Sequence, residues 1–223
     1  MSVPSYLIIG CGHFGGQAAK QLLKKKSHPK IIAVDKSPEA VEKLSHLPIE
    51  TIVDDGSSYL NQYLSEGRTV SYLIPSVPFH LAFEFMLLRL KPFGARRGEV
   101  PSLSGLPNSE IGKTGDLYTS FAAFLCPEDC PEPSRYCTVT RKKREKPLYD
   151  ILRNLKGAFE SRVIISQPLA RGVGGFQPKA LLALLDEVKK LKNSAHPVLI
   201  STASRCHGVT SALIYTKAKN DSE

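Results

Sequence analysis

Residues 6–23 read YLIIGCGHFGGQAAKQLL. The first four are apolar without interruption, the pattern of a parallel strand buried on both faces. Glycines then fall at Gly10, Gly12 and Gly15. After them Phe14, Ala18 and Leu22 recur at helical spacing, and Lys24, Lys25 and Lys26 close the helix at the negative end of its dipole. A second apolar run, Ile31 to Val34, stops at Asp35, and Ser37-Pro38 supplies an N-cap and first turn for another helix. The order is strand, glycine loop, helix, strand, acid.

Each part of that order has a physical task. Gly10 allows the tight turn, Gly12 lets backbone approach a pyrophosphate, and Gly15 lets helix and strand pack closely. The unpaired N–H groups of the helix start, at His13 and Phe14, face the phosphates. Asp35 is placed to accept the adenosine ribose hydroxyls, which favours NAD(H) over NADP(H); the neighbouring Lys36 weakens that preference. The sequence therefore predicts an α/β, Rossmann-like, doubly wound and mainly parallel sheet that takes a dinucleotide.

The same residues, with IIAVDKSPEAVEKL (31–44) and VDDGSSYL (53–60), resemble the TrkA-N (RCK) nucleotide-binding domain of potassium-transport regulators. The resemblance spans about residues 5–75. It implies NAD(H)-type nucleotide binding, with Asp55 near the adenine, and it makes a homodimeric, non-catalytic sensor docking on a membrane transporter one reading of the whole chain. No family-like continuation follows residue 75.

The bulk numbers bound the rest. A chain of 223 residues with 42% hydrophobic and 23% charged side chains is an ordinary globular protein, and no apolar run is long enough to span a bilayer. The first residues lead straight into a strand pattern, so a cytoplasmic location is expected. The net charge of +9 sits partly in Lys24–Lys26 and Arg141–Arg144. Neither run is interleaved with aromatics, so nucleic acid is not an expected partner.

Further along, Val70 to Ile74 reads as a fourth strand, and His80 after it is a candidate catalytic residue at the nicotinamide end of the crevice. Strands near residues 163 and 198 bring the expected count to about six, in a single domain spanning residues 1–223. Residues 92–147 lose all periodicity and read as an irregular insertion. Gly172 to Gly175 reads as a second glycine loop opening a helix, either a tight turn or an anion cradle.

The insertion holds CPEDCPEPSRYC, residues 126–137, with three of the five cysteines of the chain. Clustered thiols in a reducing compartment point to metal or redox chemistry. The spacing C-x3-C-x6-C matches neither a zinc knuckle nor a ferredoxin loop. Cys126, Cys130 and Cys137 are candidate ligands, with Cys206 as the fourth and a four-iron cluster or zinc as the metal; Cys11 and His207 are alternative fourth ligands, and His207 is also a candidate catalytic residue. Glu128 and Asp129 read as solvated charges. The combined expectation is an NAD(H)-binding redox protein, an oxidoreductase or the accessory of a redox partner. Its rivals are the nucleotide sensor and a scaffold with structural zinc.

Overall fold

A computed structural model describes residues 3–133 and 135–216. The first half alternates strand and helix: β1 (Ser5–Ile9), α1 (His13–Leu23), β2 (Lys30–Asp35), α2 (Pro38–Glu42), β3 (Glu50–Val53), α3 (Gly56–Ser65), β4 (Tyr72–Pro75) and α4 (Leu81–Leu90). The four strands form a parallel sheet in the order β3-β2-β1-β4. The winding reverses between β1 and β4, so a crevice opens at their C-terminal ends.

Strand alternation assigns each side chain to a layer. Ile8 packs with Ala18, Ala19 and Leu22 of α1 and with Ile31 and Ala33. Leu7 and Ile9 turn the other way, toward Leu60, Leu73, Phe83 and Phe85. Each fully buried Leu or Ile contributes about 1.5–3 kcal/mol. The caps follow the sequence: the Ser37 hydroxyl accepts the Ala40 N–H at 3.1 Å, and Asp55 caps α3 by accepting the Ser58 N–H at 2.9 Å.

The second half departs from the six-stranded expectation. Here β5 (Ala95–Gly98), β6 (Glu110–Ile111), β7 (Leu117–Ser120), α5 (Leu148–Arg153), β8 (Glu160–Ile165), β9 (Gln167–Ala170), β10 (Val173–Gly175), α6 (Pro178–Lys190), β11 (Val198–Ala203) and β12 (His207–Tyr215) follow. The strands near 163 and 198, β8 and β11, pair with each other and not with β4. They belong to a second sheet in the order β6-β7-β12-β11-β8. One side of β12 pairs with β11; the other is shared between β7 and β5.

The reason lies at the open edge of β4. Phe176 exchanges backbone hydrogen bonds with Leu73 at 2.8 and 3.0 Å, so the chain after β10 fills the position a fifth parallel strand would take. Gly172 to Gly175 accordingly belongs to the β9–β10 hairpin, with α6 starting only at Pro178. Gly175 has to be glycine there, because a Cβ would stand 2.6 Å from the Leu73 carbonyl. The stretch 92–147 is only partly irregular, since it supplies β5, β6 and β7 to the second sheet. One core joins the two sheets: Leu7, Ile9 and Leu73 share it with Met86, Leu181, Ile200 and Leu213.

Candidate nucleotide crevice and thiol cavity

The glycine loop has the shape its sequence asks for. Gly10 turns at φ +104°, where a Cβ would lie 2.3 Å from the Ser76 carbonyl oxygen. A Cβ on Gly15 would meet the Gly10 oxygen at 1.8 Å, so only glycine lets α1 come this close to β1. Gly12 differs: nothing lies within 4 Å of the space a side chain would take. The first turn of α1 has no side-chain cap and no acid, leaving its N–H groups directed at that open space.

Asp35 is half-buried and braces the loop, one carboxylate oxygen accepting the Cys11 N–H at 2.7 Å and the other the Ser37 N–H at 2.9 Å. Lys36 is exposed beside it. Hydrogen bonding from Ser58 holds the Asp55 carboxyl below its ordinary range. An open loop, a free helix start and an acid after β2 fit a dinucleotide. Next to them a crevice of about 460 Å³ is lined by Phe14, Ala18, Ile74, Ser76 and Pro78, and by Gly172 to Gly174 of the hairpin.

His80 is not in that crevice. It precedes α4 and is 2% exposed, its Nδ1 2.8 Å from Ser211 Oγ and its Nε2 2.9 Å from Thr202 Oγ1. Burial pushes its pKa down to about 4, against the pull of Asp116. Ser211 in turn donates to Asp116, which pairs with Arg97 at 2.6 Å. Burial opposes the charge on Asp116, but hydrogen bonds from Ser211, Thr114 and Arg97 outweigh it and keep the carboxyl below the usual range. The segment after β4 turns inward, so His80 joins a buried polar chain and not the cleft.

The cysteines do come together from distant parts of the chain. Cys126, Cys130, Cys137, Cys206 and His207 line one cavity of about 590 Å³. Its wall shares Phe14 and Gly172 to Gly174 with the crevice, so the two spaces adjoin. All five cysteines are free thiols. Cys126 Sγ lies 3.6 Å from His207 Nε2, and His207 Nδ1 lies 3.0 Å from Ser120 Oγ. Cys11 is buried elsewhere, beside Asp35.

The thiols are not equivalent. Burial pushes Cys206 up to about 12 and also raises Cys126, to which the neighbouring Cys130 and Cys137 add. Hydrogen bonds from Thr140 bring Cys137 down to about 7; the Thr140 N–H lies 3.5 Å from its sulfur. Desolvation lowers His207. Among the described residues, no three His, Cys, Asp or Glu side chains converge closely enough to hold a metal ion.

The acids of the cysteine loop are exposed, as the sequence suggests, and each also pairs with a residue from another part of the chain. Glu128 pairs with His13 Nε2 at 2.9 Å and accepts from Gln17, and Asp129 pairs with Arg171 at 2.8 Å. Gly172, at φ +69°, donates its N–H to the Cys130 carbonyl at 3.0 Å, and a Cβ there would stand 1.8 Å from the Glu128 oxygen. The sequence carries no local signal for these contacts, because the partners are far apart in the chain.

Comparison with known proteins agrees with this two-part layout. The TrkA-N domain matches residues 6–60. A family described as "Uncharacterized protein, C-terminal domain" matches residues 82–216. An "Uncharacterized protein" of Archaeoglobus fulgidus (strain ATCC 49558) is 28% identical over 222 residues, covering 93% of this chain and 98% of the relative. Among the described residues no helix is long and apolar enough to cross a membrane.

Proposed function

The chain belongs to the family defined by that C-terminal domain, here joined to a TrkA-N domain, and from this premise we propose that it is an NAD(H)-binding redox protein whose thiol cavity exchanges electrons beside the nucleotide. The observation that carries the reading is the shared wall: Phe14 and Gly172 to Gly174 border both the crevice and the cavity of Cys126, Cys130, Cys137 and Cys206. Bound NAD would accept a hydride equivalent as two of these thiols close to a disulfide and release a proton, and bound NADH would return it, with a proton, to reopen that disulfide. The chain's own part is to seat the phosphates at Gly12 and the first turn of α1, to hold the ribose at Asp35, and to keep the thiols next door. An iron–sulfur cluster would need Cys126, Cys130, Cys137 and Cys206 to stand closer than they do among the described residues, and zinc in their place would be structural and carry no electrons.

Calorimetric titration with NADH, NAD and NADPH, joined to metal analysis and a visible spectrum on freshly isolated protein, tests it. NADH binding at micromolar concentration together with bound iron or redox-active thiols is the expected result. The sensor reading has its own support in the docking of Glu128 on His13, which ties the second half to the nucleotide loop. It predicts nucleotide binding, a dimer and no electron transfer to any acceptor. Absence of binding by any adenine nucleotide would overturn both.

A further inference from the structure

The guanidinium of Arg144 borders the thiol cavity and acts on Cys126, Cys137 and Cys206, but among the described residues no carboxylate forms an ion pair with it. Arg144 lines it and also lines a second cavity of about 690 Å³, together with Lys142, Lys143, Lys146 and the single acid Glu145. Its Nη1 is buried and has no hydrogen-bond partner among the described residues. A guanidinium cannot relieve this by losing its proton, and an unmet charged donor is costly to keep out of water. The acids on the same wall are already engaged. Glu128 is held by His13 and Gln17, and Glu132 accepts the Arg205 backbone N–H at 2.6 Å.

We propose that this cavity is the binding site of a small organic anion, a carboxylate- or phosphate-bearing metabolite whose oxyanion is received by the guanidinium of Arg144. The planar fork of arginine suits either group. Pro168, Ala170 and Val173 supply an apolar wall for the body of the ligand. The volume, about 590 Å³, is that of a metabolite site. Because the wall at Phe14 is shared with the crevice, a ligand in this cavity would occupy the space adjoining the nucleotide. The site names a substrate class for the redox reading and rests on that reading only for what happens after binding.

The test uses the full chain without nucleotide at low ionic strength. Inorganic phosphate and malonate are titrated separately by calorimetry, and the tighter of the two identifies the preferred group. Arg144→Gln weakens binding by about tenfold or more, the loss of one charge-assisted hydrogen bond. Arg141→Gln, on the exposed neighbouring arginine, leaves it unchanged. In parallel, the thiols are labelled with a dianionic aromatic disulfide (5,5′-dithiobis-2-nitrobenzoate) and with uncharged 4,4′-dithiodipyridine. Phosphate or malonate slows both reagents, the anionic one more than the neutral one. This second readout needs no variant, so a misfolded Arg144→Gln does not shield the proposal. Equal binding by wild type and Arg144→Gln, or no slowing of either reagent, overturns it. A separate NADH titration shows whether the nucleotide site stands regardless of that result.

Discussion

Glu128, from the cysteine loop, lies 2.9 Å from the Nε2 of His13 at the start of α1. A carboxylate is thus stationed at the end of the helix that would receive the dinucleotide phosphates. Like charges repel at this range, though the exposed pair is partly screened. Glu128→Gln should tighten NADH binding by about two- to fivefold at low salt, with stability changed by under about 1 kcal/mol. Calorimetry at two salt concentrations checks this; unchanged affinity would mean that the loop does not bear on the phosphates.

Gly12 and Gly15 should separate folding from binding. Alanine at Gly15 drives a methyl into the Gly10 carbonyl and should cost about 3 kcal/mol. Alanine at Gly12 meets no protein atom, so the folded chain should lose under about 1 kcal/mol. The methyl instead takes phosphate space, and NADH affinity should drop by about tenfold or more. Urea unfolding and nucleotide titration of both variants decide the matter.

His80 should make the fold acid-sensitive. Its pKa is about 4 in the folded chain, against an ordinary value of 6.5, because burial disfavours its charge. As the pH falls through that interval the unfolded chain takes up a proton that the folded chain refuses. Stability is therefore lost downward from about pH 6.5, by on the order of 3 kcal/mol at pH 4. His80→Gln should flatten this slope in urea unfolding, while the carboxylates, including Asp116, act at lower pH in both proteins. Parallel slopes would count against it.

Cys137 should react faster than the other buried thiols, Cys11 and Cys206. Hydrogen bonds from Thr140 bring it to about 7, whereas burial keeps Cys11 and Cys206 near 12. Iodoacetamide at pH 7.5 should modify Cys137 before Cys11 and Cys206, since the thiolate is the nucleophile. Thr140→Val should slow that reaction. Peptide mass mapping over time would show the order.

The nucleotide half was legible because its signals are local: an apolar run, fixed glycine spacings, caps at Ser37 and Asp55. The second half was not, because its strands are short or irregularly patterned and are defined by partners far along the chain. Ala95–Gly98 shows no strand alternation of its own and becomes a strand only beside β12. His80 was misplaced because the position after β4 normally faces the crevice, whereas here Ser211 and Thr202 draw it inward. The meeting of Cys206 and His207 with the cysteine loop could be posed from the sequence as a question of reach, but only the tertiary fold gathers them.

The place of β12 also sets an order of assembly on the ribosome. The parallel sheet is complete once β4 has emerged, with every partner within the first 75 residues. The second sheet has to wait, because β5, β7 and β11 all pair with β12, the last strand among the described residues. During that interval the shared core lacks Leu213, and β5 and β7 have no strand on the side that β12 will occupy. A nascent chain arrested before residue 207 should therefore hold a formed nucleotide half and an unfinished second half, a state in which chaperone capture or premature aggregation would fall on one end of the molecule.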